Sequence, residues 1–147
     1  KKTETGILAK NPPWDALTVK KRIGILNAEF QILEKIEKTE TDEVYRERVK
    51  PFYGKLRETW ERSIEEVVLN GTVQRFGREI QTRRLKKVID FIDDDYQIIE
   101  DNISKCSTMF LGHDSAGELI ESVPDTEEVK ADLKILTDYI TQFRPRR

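Results

Sequence analysis

The chain has 147 residues, with 26 Lys and Arg against 28 Asp and Glu, one His and one Cys. This length suits one domain with a real core, and the single Cys106 excludes an intrachain disulfide or a multi-cysteine zinc site, which fits a reducing cytoplasm. A net charge of -2 gives no global pull toward nucleic acid or an anionic membrane, and no apolar run approaches the roughly 20 residues that span a bilayer.

Charged and hydrophobic residues each make up 37 %, the balance of amphipathic helices with charged outer faces. Residues 1–13 read as a poorly structured lead-in, and an opening on Lys rather than Met reads as a fragment cut from something longer. Residues 14–147 read as one helical domain. Asp15 is the expected cap of a helix from about Ala16 to Lys38, whose Val19, Ile23, Leu26, Phe30, Leu33 and Ile36 recur at helical spacing. Thr39 to Asp42 break it. A second helical stretch opens near Glu43 and meets Pro51, which either starts a new segment or bends a continuous one. The ladder Phe52, Leu56, Trp60, Ile64, Val68 then runs to Asn70, with Gly71 as the stop.

From Thr72 to Ile92, apolar Val73, Phe76, Ile80, Leu85, Val88 and Ile89 alternate with a basic cluster of Arg75, Arg78, Arg83, Arg84, Lys86 and Lys87. Shorter helices interrupted at Gly77 are expected there. Asp93 to Asp95 would cap a helix carrying Tyr96, Ile99, Ile103 and Cys106, followed by an irregular stretch from Ser107 to Val123. The last helix is signposted by Asp125 with Glu128 three residues on, a stripe of Val129, Leu133, Leu136, Ile140 and Phe143, and Pro145 as the stop. The expected fold is all-α, an antiparallel bundle of four to five helices.

Three residues suggest chemistry. Arg57 and Glu61 stand four apart on one helix side, in a row Tyr53, Arg57, Glu61, Glu65 at the edge of the core, and the only histidine, His113, lies far downstream between Gly112 and Asp114. Glu61 as general base, His113 as general acid and Arg57 as stabiliser of the crowded phosphate would cleave RNA by transesterification without metal. The plain alternative is an exposed ion pair beside a turn histidine. The basic cluster reads either as a solvated face or as a phosphate-binding surface with Phe76 as a stacking neighbour. Gly112 and Gly117 share the spacing of a phosphate loop, but Glu118 and Leu119 stand where Lys and Ser or Thr belong, so no nucleotide site is read here. A metal at His113 would need further histidines, and Cys106 reads as a buried thiol.

The segment Tyr53-Gly-Lys-Leu-Arg-Glu-Thr-Trp-Glu-Arg-Ser-Ile-Glu-Glu-Val-Val-Leu-Asn70, with Val73-Gln-Arg-Phe76 and Gln81-Thr-Arg-Arg-Leu85, resembles the C-terminal region of large bacterial SMC-like ATPases whose P-loop domain is interrupted by a coiled coil. Trp14-Asp15, Arg22-Ile-Gly24, Ser104-Lys-Cys106 and Gly112-His-Asp114 extend the likeness over most of the chain from Trp14 onward. The group is similar to the anticodon nucleases, which implies a HEPN-like helical ribonuclease used in phage defence, with Arg57, Glu61 and His113 as its catalytic positions. It also implies tRNA as substrate, pairing into a homodimer, and an upstream ATPase portion that would carry ATP and Mg, with no cofactor in this chain. The alternative class is a non-catalytic accessory module of that ATPase, for dimerisation or nucleic-acid binding.

Overall fold

A computed structural model describes residues 12–112 and 122–144. Among the described residues all regular structure is helical, with four α-helices: α1 (Val19–Thr39), α2 (Asp42–Ser63), α3 (Asp93–Leu111) and α4 (Thr126–Phe143). Among them no helix is long and apolar enough to cross a membrane.

The helices alternate in direction. Val19 meets Glu66 and Arg22 meets Glu58, so α1 and α2 are antiparallel across the two-residue turn Glu40–Thr41. On α3, Phe110 lies over Gly54 while Gly112 lies beside Lys50, so α3 descends as α2 ascends. Tyr53 with Asp132 and Trp60 with Tyr139 align α4 with α2. The result is an up-down-up-down bundle around one core, in which Trp60, Tyr53, Phe52 and Phe143 are the largest fully buried side chains. The expected stripes of α1 and α4 lie in it: Leu26, Phe30, Leu33 and Ile36 are buried, as are Val129, Leu133, Leu136, Ile140 and Phe143.

Several boundaries differ from expectation. Thr18, rather than Asp15, caps α1 by accepting from the Lys21 N–H, and Asp15 sits in a 3-10 turn, Trp14–Ala16. Helix α2 begins under a Thr41 cap and continues through Pro51. Pro51 is exposed, so water can satisfy the carbonyl that its ring leaves free. Asp95 caps α3 by accepting from the Ile92 N–H and also from the buried Tyr139 hydroxyl. That helix runs on to Leu111, through residues expected to be irregular, while Tyr96 faces solvent. Asp125 caps α4 as its position predicts.

Two segments break α-helical regularity. Ile64–Val68 form a π-helical turn at the end of α2, closed by Leu69 N–H to Ile64 O at 2.7 Å. Beyond it, Thr82–Asp90 form a 3-10 helix with no buried residue.

Candidate functional site

Helix α2 carries the row Lys50, Gly54, Arg57 and Glu61, whose steps of three and four keep it on one side. Gly54 lets α3 approach closely: a Cβ there would fall 2.7 Å from the Phe110 ring. Arg57 Nη2 lies 3.3 Å from Glu61 Oε2, so the two expected site residues do form an ion pair, with both side chains partly exposed. The Nε of Arg57 is buried and has no hydrogen-bond partner among the described residues. Tyr53, expected at the edge of the core, is fully buried, and only the later part of its row reaches solvent.

A third group joins the pair from outside the helix. Arg75 Nη1 stands 3.7 Å from Glu61 Oε1, and both its Nε and its backbone N–H donate to Glu65 Oε2, at 3.2 and 2.8 Å. Burial opposes the charge on Glu65, but the two hydrogen bonds from Arg75 and the positive charges of Arg75 and Arg62 outweigh it and hold the carboxyl below its usual range. These groups border a cleft of about 200 Å³ whose walls include Arg22, Glu58, Glu61, Glu65, Arg75 and Phe76. Arg22 is a structural cation that the pattern of residues did not reveal. It is buried, donates to the carbonyls of Asp15, Leu17 and Glu58, and lies 4.8 Å from the Trp14 ring centroid. Desolvation, reinforced by Arg62, lowers its pKa against the raising effect of Glu58 and Asp15. Its signal was its place on the apolar stripe, three residues after Val19 and four before Leu26.

His113 lies outside the described residues. The residue before it, Gly112, ends α3 near the side-chain tip of Lys50, seven residues and about 10 Å along α2 from Arg57. That is the head of the row that holds Arg57 and Glu61.

The basic cluster is exposed throughout, although two of its members are tied back to the protein. Arg75 is held by the carboxylates, and Arg84 Nη1 donates to Asn70 O at 3.4 Å. Among the described residues, Arg78, Arg83, Lys86 and Lys87 make no ion pair. Arg78 and Arg84 border a second hollow, of about 480 Å³, with Gln74 and Gly77. Phe76, on the wall of the first cleft, is fully exposed at φ 66°.

Other polar side chains lie inside the bundle. Asp132 accepts from the buried Tyr53 hydroxyl at 2.5 Å and from Lys105 Nζ at 3.1 Å, and Lys105 also reaches Glu128. Burial opposes the Lys105 charge, yet Asp132 and Glu128 together raise its pKa. Burial, with Asp132 nearby, pushes the Cys106 thiol up to about 12, so the thiol is inert as expected. No group of three or more His, Cys, Asp or Glu among the described residues could hold a metal ion. Comparison with protein-family models, curated proteins and solved structures found no match for this chain.

Proposed function

We propose that this domain is a metal-independent endoribonuclease of the HEPN-like kind, acting on RNA as the effector portion of an SMC-like ATPase. The observation that carries the reading is the α2 row. Arg57 and Glu61 are paired on it, and Gly112, the residue before His113, ends its helix near the side-chain tip of Lys50 on the same row. Glu61 takes the proton from a ribose 2'-hydroxyl, His113 returns one to the departing 5'-oxygen, and Arg57 neutralises the phosphate. The exposed basic side chains Arg78, Arg83, Lys86 and Lys87 supply the phosphate contacts that the overall charge of the chain does not.

The test is cleavage of tRNA in the presence of a chelator. The unaltered chain should leave 2',3'-cyclic phosphate ends, and His113→Ala and Glu61→Gln should each abolish cleavage with unchanged helical circular dichroism. Activity that persists in both variants overturns the chemistry. A second reading, a non-catalytic module that pairs with a second copy or docks on its ATPase, is favoured by the exposed Ile80, Leu85, Ile89 and Ile92 beside the basic residues. Light scattering decides its dimeric form: a monomer at high concentration removes it.

A further inference from the structure

Phe76 breaks two rules at once, and neither breach helps the bundle. Its ring is fully exposed, so it contributes no burial, and its φ of 66° lies in the left-handed region that bulky residues avoid. The reason is the turn that holds it. Gly77 N–H donates to Gln74 O at 2.9 Å, which puts Phe76 at the third position of a four-residue turn, a place for Gly or Asn when φ is positive. Gly77 suits the turn, because a Cβ there would fall 3.0 Å from that same Gln74 oxygen, a tight contact.

The turn is fastened at both sides. Glu65 holds Arg75 through its backbone and its side chain, and Gln81 N–H closes onto Thr72 O at 2.7 Å. A strained aromatic ring is therefore presented on a braced turn rather than left on a loose one. It lines the cleft that contains Glu61 and Arg75, and its neighbours Gly77 and Arg78 border the hollow that Arg84 also lines.

A flat apolar ring between cationic groups is what single-stranded nucleic acid recognises, because every base has a face to stack and every linkage a phosphate to pair. We propose that Phe76 is the stacking platform for one unpaired base of a single-stranded RNA, holding the adjoining linkage toward Glu61 while Arg78 and Arg84 take the neighbouring phosphates. This rests on the nucleic-acid-binding part of the function proposed above. It adds a substrate class: unpaired RNA, with duplex excluded from the platform because its bases are already stacked.

The experiment uses the whole chain carrying His113→Ala, a 12-nucleotide single-stranded RNA with a central 2-aminopurine, and the same strand in a duplex. Phe76→Ala should weaken single-strand binding roughly 5- to 150-fold and abolish the change in 2-aminopurine fluorescence, with the salt dependence unchanged. Phe76→Trp should retain both signals. Phe76→Gly should raise the melting temperature by relieving the turn while losing the stacking signal, so folding and recognition move in opposite directions. Arg83→Gln with Lys86→Gln should flatten the salt dependence and keep the fluorescence change.

Single-strand affinity unaltered in Phe76→Ala, or equal losses on single strand and duplex, overturns the proposal. If the unaltered chain cleaves RNA while Phe76→Ala cleaves it equally well, this proposal fails and the nuclease reading survives. If binding depends on Phe76 but the unaltered residues cleave nothing, the nuclease reading fails and this one stands. If the chain with an intact Phe76 binds no RNA of either form, both fall.

Discussion

Asp132→Ala tests the packing of the bundle at the point where three helices share one carboxylate. Asp132 on α4 is buried and accepts from Tyr53 of α2 and Lys105 of α3. Removing it strands a phenol whose residue is fully buried, a loss of about 1–3 kcal/mol. It also leaves Lys105 with Glu128 as its remaining carboxylate. This second loss falls below the roughly 3–5 kcal/mol of a fully buried pair, because a third of the Lys105 side chain is exposed. The expected total is about 3 kcal/mol, a large share of a stability of about 5–15 kcal/mol. In urea the midpoint should fall by about 1–2 M with an unchanged slope. Tyr53→Phe alone should cost about 1–2 kcal/mol and leave the Lys105 contacts in place, and the double variant should cost less than the sum of the two. A loss under about 0.5 kcal/mol for Asp132→Ala, or strict additivity with Tyr53→Phe, refutes the idea that this contact ties the helices together.

Two further predictions concern titration and reactivity. Glu65 has a folded pKa below its unfolded value, so its contribution is fully present above an unfolded pKa of about 4.5 and is lost as the pH falls through the lower folded value. The urea midpoint should decline over that acidic window, and Glu65→Gln should flatten the decline; an unchanged slope in the variant would count against the Arg75 contact. Cys106, buried and with its thiol pushed up to about 12, should react with a disulfide reagent at pH 8 only at the rate of unfolding and completely in urea. Rapid labelling of the folded chain would contradict its burial.

The parts of the fold that could be read in advance are those set by local spacing. The stripes of α1 and α4 follow from residues three and four apart, and Asp125 announces its own helix because its carboxylate reaches an amide three residues on. The Arg57–Glu61 pair was readable for the same reason. Contacts that depend on folding were not. Tyr53 and Asp132 lie 79 residues apart, and nothing local says that the phenol at the head of a charged row turns inward. Arg75 reaches Glu61 and Glu65 only because the chain turns back after Gly71. The segment 72–92 misled because its apolar residues have helical spacing but little surface to cover: Val73, Phe76 and Ile80 stay exposed before the 3-10 helix, and Leu85 and Ile89 stay exposed on it. Thr18 and Asp15 were equally good caps by residue type, and position alone separated them.

The π-helical turn at Ile64–Val68 closes α2. Across it the earlier order persists: Arg75 bridges Glu61 and Glu65, and Glu66 still lies 3.6 Å from Arg62. The two consecutive carboxylates of the turn serve different neighbours: Glu65 clasps the returning Arg75, while Glu66 receives the first amide of α1 and the guanidinium of Arg144 after α4. A single turn thus knots together the start of one helix, the end of another and the chain reversal beyond its own.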